Sequence, residues 1–403
     1  MKIRSITYFC NPKYPLEEKI LRTAGKFLAK AKTAYEAAGY EVQTVRLATI
    51  PFPKLLGVDN IHKLPEYTSQ IADMAQQLNI GYISLGHALP EIPHSYEIIP
   101  DALFISKNVF FSGMMANATR GLDLAAIRAC AEIIVKCAPI EPNGFANLQF
   151  AALANVRAGS PFLPAAYHDK DRPAFAIATE SADLAVQAFE NAGSIAEGRN
   201  NLVAEIETHG KKLTEVAKSL RMKFYGIDFS LAPFPDDAHS LGKAVEKMGI
   251  PKIGQHGSLA AAAILTEAID RANFPHTGFS GFMQPVLEDS TLAKRAAEGT
   301  LTIKDILLYS TVCGTGLDTI PLPGDTTAEQ LVPLLLDLSA LALRLDKPLT
   351  ARLMPVPGKK AGDDTNFDFA FFAPSKVMAL DSVGLNSPFN SNEVLQIKKR
   401  SNV

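Results

Sequence analysis

Ile3-Arg-Ser-Ile-Thr-Tyr-Phe9, apolar residues at 16, 20, 24, 27, 28, 31, 35 and 38, and then Val42-Gln-Thr-Val-Arg-Leu47 form the stretch that decides the fold. The first segment is rich in β-branched and aromatic residues, as strands are. The middle spacing is helical, with Pro15 suited to a first helical position and Gly39 to a stop. The last segment alternates apolar and polar residues, the pattern of a half-buried strand. Strand, helix, strand is the expected opening.

The alternation continues outward. Helices are expected at Tyr67–Leu78, Leu122–Cys137, Ser181–Ala192, Ile195–Leu220 and, behind Ser258 as N-cap, Leu259–Ala272. Apolar positions at 331, 334, 335, 338, 341, 342 and 345 predict one more. Strands are expected at Gly81–Leu85, Phe145–Val156, Ala174–Thr179, Lys223–Phe229, Gly281–Val286, Ile306–Val312, Leu317–Pro321, Ala351–Met354 and Phe367–Phe372. This order argues for an α/β fold with a largely parallel sheet, open or closed into a barrel. With no repeat and no Gly/Ser linker, residues 1–390 read as a single domain and 391–403 as a frayed tail.

Composition narrows the function. The 403 residues are 47% hydrophobic, which excludes a disordered chain. Forty basic against 42 acidic residues leave no excess for wrapping a phosphate backbone, so no nucleic-acid partner is expected. No segment reaches the ~20 apolar residues of a membrane span. Four Cys without a C-x-x-C pair suggest a reducing, cytoplasmic setting.

Four segments gather polar and glycine residues at expected strand ends. In Tyr309-Ser-Thr-Val-Cys-Gly-Thr-Gly-Leu-Asp318, glycines around Cys313 leave a thiol accessible and backbone N–H groups free for an oxyanion. The competing reading is a small buried hydrophobe. Cys10, Cys130 and Cys137 read as core. Gly254-Gln-His-Gly-Ser258 precedes a helix, whose N-terminus suits an anion, with His256 as an acid, base or donor. A plain cap with a solvated His is the alternative. Tyr225-Gly-Ile-Asp-Phe-Ser-Leu-Ala-Pro233 places Asp228 at a strand end, for a metal or for capping. Pro355-Val-Pro-Gly-Lys-Lys-Ala-Gly-Asp-Asp-Thr-Asn366 carries Lys359, Lys360 and Asp363 on a loop that is a lid, an anion clamp, a magnesium or calcium site, or a solvated turn. His168 ends a Pro-bounded loop that follows Asn155. No nicotinamide, flavin or nucleotide motif is present, and no zinc-protease or serine-hydrolase motif.

Cys313-Gly-Thr-Gly-Leu-Asp-Thr-Ile-Pro-Leu-Pro-Gly-Asp325 and Met354-Pro-Val-Pro-Gly-Lys-Lys-Ala-Gly-Asp363 resemble the signatures of the bacterial and archaeal domain-of-unknown-function 711 family. Asp228-Phe-Ser-Leu-Ala-Pro233, His256-Gly-Ser258, Asn155, Pro161-Phe162 and His168 support the resemblance. It implies a pyruvate formate-lyase-like barrel: ten strands around a central finger loop, surrounded by helices. By analogy Cys313 falls on that loop. The C-terminal Arg-Val-x-Gly-aromatic segment of glycyl radical enzymes is missing, as is the adjacent Cys-Cys pair of pyruvate formate-lyase, since Val312 precedes Cys313, so a radical lyase is not expected. Departures at Lys107–Ser112, before Asn117, and at Asp364, Asn366 and Asp368 suggest a divergent branch with its own ligand.

Two functions follow as expectations. One is a non-radical lyase or hydrolase acting on a small anionic metabolite. Cys313, His256, Asp318 and His168 would be catalytic, Asn155, Asn117, Ser258, Lys359 and Lys360 would hold substrate, and Asp228 and Asp363 a divalent metal. The other is a non-catalytic metabolite-binding or regulatory protein on the same barrel. A homo-oligomer is the expected assembly.

Overall fold

The computed structural model describes residues 1–400. Its eleven strands are β1 (Lys2–Cys10), β2 (Val42–Thr49), β3 (Tyr82–Ala88), β4 (Val109–Asn117), β5 (Gly121–Asp123), β6 (Phe150–Ala154), β7 (Ala174–Glu180), β8 (Lys223–Asp228), β9 (Gly316–Pro323), β10 (Leu349–Val356) and β11 (Val394–Leu395). They form one sheet in the order β8-β7-β1-β2-β3-β4-β6-β10-β9, with β5 on β4 and β11 on β5. β1, β2, β3, β4 and β6 run parallel. The flanking pairs β7–β8 and β10–β9 run the other way.

The sheet is strongly curved. β1 and β10 lie five places apart in the order, about 24 Å on a flat sheet. Yet Glu288 contacts Arg4 of β1 and Arg352 of β10 at once, so the two strands face each other across an interior. No hydrogen-bonded ladder joins the end strands β8 and β9. Residues 276–285 lie between them, touching β8 at Ile227↔His276 and β9 at Pro285↔Asp318.

The two faces differ in residue size. Outward residues such as Ile6, Tyr8, Leu47, Ile83 and Phe111 join the main core under the helices. The helix Glu18–Ala37 supplies Ala24, Leu28, Ala31 and Tyr35 of the predicted stripe to it, together with Leu21, which the stripe did not include. Many inward residues are small or polar, among them Thr7, Ala48, Ser84, Ala151 and Ala176, beside larger ones such as Phe9, Phe110 and Met114. The space they leave is filled by the loop 159–168. A buried loop must find partners for its backbone. Thr7 Oγ1 donates to Pro161 O (3.3 Å), and Ser84 Oγ donates to Pro164 O (3.2 Å) and Ala166 O (2.7 Å). His168 N donates to Thr49 O (2.8 Å) and Gly159 N to Tyr167 O (2.9 Å).

Several sequence expectations are corrected. Ile306–Val312 is not a strand; Ile303–Tyr309 is a helix, started by a capping box of Thr302 with Asp305 that overrides the β-branched content. Gly281–Val286 and Phe367–Phe372 are irregular segments. β4 is a strand the sequence reading did not contain: it is buried on both faces and so has no alternation. Gly257, not Ser258, occupies the N-cap of the helix Ser258–Arg271. Up to residue 400 the tail is docked: β11 pairs with β5, and Arg400 N donates to Arg344 O at 2.9 Å, while residues 401–403 lie outside the described residues. Among the described residues, no helix is long and apolar enough to cross a membrane.

Candidate functional site

The loop 159–168 divides the interior into two openings. The lower cavity, of about 140 Å³, lies where the five parallel strands begin; Phe162 and Leu163 of the loop roof it. The upper cleft, about 1210 Å³ and wide open, lies where those strands end, with Tyr167 and His168 in its floor.

Charge concentrates at the lower cavity. Arg4, at the start of β1, ion-pairs with Glu180 (3.4 Å) and Glu288. Arg352, inward on β10, pairs with Glu288 (2.8 Å) and Asp318 (2.6 Å) and lies over the Phe162 ring at 5.5 Å. Arg46, inward on β2, differs from both. Its Nε donates to Thr44 Oγ1 (2.8 Å) and its guanidinium faces the Tyr82 ring at 5.7 Å, but no carboxylate pairs with it among the described residues. Burial, and then Arg4, push the Arg46 pKa below its ordinary value.

The carboxyls separate by environment. Burial pushes Glu288 up, but Arg4 and Arg352 outweigh it and hold the group below the usual range. For Asp318 and Glu180 burial wins, and both are raised. Three buried polar atoms around this network lack partners: Ser5 Oγ, Glu180 Oε1 and Asp318 Oδ2. Such atoms are costly unless something completes them.

The structure scatters the residues singled out in the sequence. Asn117, Asn155 and His168 meet at the upper cleft. The two asparagines serve turns: Asn117 Oδ1 accepts from Thr119 N and Arg120 N, and Asn155, at φ +56°, accepts from Ala118 N. His168 is fully buried, 3.4 Å from the Tyr225 hydroxyl, and burial lowers its pKa. Asp228 lines the lower cavity, and Asp318 is fully buried and paired with the lining Arg352. His256 is exposed at the start of its helix, and Ser258 Oγ accepts from Gly254 N at 3.2 Å. Lys360 N donates to Asp363 Oδ2 (2.7 Å), closing an exposed turn that also holds Lys359.

Asp228 and Asp363 do not fit a shared metal. Both Asp228 oxygens already accept hydrogen bonds, from Phe279 N, Ser280 N and the Ser230 hydroxyl. Asp363 is exposed on its own turn. Among the described residues no set of three His, Cys, Asp or Glu converges as metal ligands.

Cys313 is not the accessible thiol that its glycines suggested, nor is it on the loop inside the sheet. It is fully buried in the outer core, with Gln284 Nε2 3.7 Å from its sulfur, and lines neither opening. Cys10, Cys130 and Cys137 are buried too, and burial pushes Cys10 and Cys137 up to about 12 and Cys130 further. Thiolates are what alkylate. Brief iodoacetamide treatment of native protein, read by peptide mass spectrometry, should therefore leave all four unmodified, whereas denatured protein labels at all four. Fast native labelling of Cys313 would contradict its burial.

Sequence reasoning missed Arg4, Arg46, Glu180, Glu288 and Arg352. The available signal was charge at inward positions of otherwise apolar strands, as in Val42-Gln-Thr-Val-Arg-Leu47 and Ala351-Arg-Leu-Met354.

Residues 1–375 match the family model described as Uncharacterised ACR (DUF711). The chain belongs to the DUF711 family. A UPF0210 protein of Pyrobaculum aerophilum is 30% identical over 394 residues, covering 90% of this chain and 87% of that one. A UPF0210 protein of Ruminiclostridium cellulolyticum is 27% identical over 399 residues, covering 94% and 87%. Among solved structures, a cellobiohydrolase mutant in its closed form aligns with 57% of this chain and 62% of its own at 14% identity. Its TM-score of 0.25 is too low to argue from. These DUF711 relatives carry no named activity, so function has to be argued from the site.

Proposed function

We propose that this DUF711 protein binds a small anionic metabolite in the lower cavity, with Arg46 as the seat of the negative charge. The observation that carries this is an inward, half-buried guanidinium with no carboxylate ion-pair partner among the described residues, beside two arginines whose own charges are taken. A partly desolvated cation without a paired carboxylate is unfavourable, and an anion at the open fork relieves it. Metabolite binding is favoured over thiol catalysis because Cys313 reaches no cavity.

The kinship with pyruvate formate-lyase-like barrels belongs to the same proposal. Nine strands in one curved path, with residues 276–285 as an irregular tenth stave, support it. So does a loop running through the interior, which is 159–168 and not the turn at Cys313.

Thermal-shift and calorimetric titration with acetate, benzoate, succinate and inorganic phosphate tests the seat. At least one anion should stabilise the wild type, and Arg46→Met should weaken it at least tenfold. Equal shifts in both proteins, or none in either, would overturn the reading.

A further inference from the structure

The lower cavity is also informative about the class of anion, a step that rests on the Arg46 seat. Only one positive charge there is open. Arg4 is committed to Glu180 and Glu288, and Arg352 to Glu288 and Asp318. At the rim, Lys107 is paired with Glu141 at 3.2 Å. A second negative charge on the ligand would face Glu288, which lines the cavity and is held ionised by its two arginines. Like charges at short range in a poorly solvated site repel strongly. Dicarboxylates and phosphate dianions are therefore disfavoured.

Much of the remaining wall is aromatic, beside polar residues such as Gln43, Gln149 and Thr179. Tyr82 and Phe110 pack edge to face at 5.4 Å on one side. Phe145 and Phe369, also edge to face at 5.0 Å, and Phe371, 5.3 Å from Phe369, close the other side. Phe162 caps the top. Aromatic walls of this kind receive a flat ring on their faces and edges. The volume agrees: an apolar cavity of about 150 Å³ is known to admit benzene, and this one is about 140 Å³.

We infer that the ligand is a monocarboxylate with one apolar body of about the size of a benzene ring, its carboxylate on Arg46 and its body between the Phe110 and Phe145–Phe369–Phe371 walls. Phe369 and Phe371 come from the irregular segment that the sequence had suggested was a strand. Their place over this opening gives that segment a role in recognition.

Calorimetric titration with phenylacetate, acetate, succinate and inorganic phosphate tests this, on wild type, Phe371→Ala and Arg46→Met. Phe371 is only half-buried, so its truncation should leave a native circular dichroism spectrum and a cooperative melt. Phenylacetate should bind the wild type at least tenfold more tightly than acetate, and succinate and phosphate no more tightly than acetate. Phe371→Ala should weaken phenylacetate severalfold and leave acetate unchanged, while Arg46→Met should weaken both carboxylates. Phosphate or succinate binding as tightly as phenylacetate would overturn the monocarboxylate class but leave the anion seat standing. Phenylacetate no better than acetate, or unaffected in Phe371→Ala, would overturn the apolar body. Binding that survives Arg46→Met, or no binding of any anion, would remove the seat itself.

Discussion

Arg352→Met should destabilise the fold by ~3–5 kcal/mol at neutral pH, the range for breaking a buried ion pair from one side. Met keeps most of the volume, so the loss reports charge and hydrogen bonding more than packing. Two acceptors are affected: Glu288 retains only Arg4, and Asp318 loses its sole cationic partner while Oδ2 already has none. The sign with pH follows from Asp318. Its pKa is raised in the folded wild type even with Arg352 present, and rises further without it. A raised folded pKa means that the folded state holds the proton more tightly than the unfolded state. The deficit of Arg352→Met is therefore full above Asp318's folded pKa and shrinks as pH falls through it. Adding Asp318→Asn removes the unpaired charge at all pH and should restore ~1–2 kcal/mol while flattening that dependence. Urea denaturation at pH 5 and pH 7.5, compared by midpoint at constant slope, measures both effects. A loss under ~1 kcal/mol at pH 7.5 would mean that the Arg4–Glu288–Arg352–Asp318 network does not hold the strands together.

How far the sequence could be read depended on whether one face of an element meets solvent or a different environment. β2 and the helix Glu18–Ala37 each have two distinct faces, and their periods were plain. β4 is buried on both faces, and its period vanished. The site was harder for a reason of curvature. Arg4, Arg46 and Arg352 are each visible as charges in apolar strands, but their meeting depends on a sheet bent until β1 faces β10, which no local pattern encodes. Cys313 shows the opposite error. Glycines were taken to expose its sulfur, but they are there for close backbone packing. A Cβ on Gly314 would lie 2.9 Å from Phe279 O. At Gly316, φ is +92° and a Cβ would fall 2.3 Å from Thr350 O of β10. The signature motif identified the family correctly, and within it Asp318 pairs with Arg352 whereas the cysteine that opens it is packed in the core.

Asp228 had been considered as a metal ligand, and its position predicts the other large effect. Its two oxygens hold the amides of Phe279 (2.9 Å) and Ser280 (2.8 Å) and the Ser230 hydroxyl, all buried. Those amides belong to the segment that spans the seam between β8 and β9. Gly278 makes the approach possible: its φ is +65°, and a Cβ there would lie 2.2 Å from Asp228 Oδ2. Asp228→Ala strands three donors away from water, each costing ~1–3 kcal/mol if nothing replaces the acceptor. Some relaxation is expected, so the predicted loss is ~3–5 kcal/mol. Asp228→Asn keeps the shape and one accepting oxygen but turns an NH2 toward an amide, so it should lose about half as much. Hydrogen exchange locates the effect, because opening the seam should speed exchange at the Phe279 and Ser280 amides well before amides in β2 or β3 respond. If Asp228→Asn were as stable as wild type, the carboxylate would not be the acceptor for both amides. If Asp228→Ala loosened β2 and β3 as much as the seam, the seam would not be a separate weak point. In that case the ladder-free join between β8 and β9 would be as firm as the paired strands.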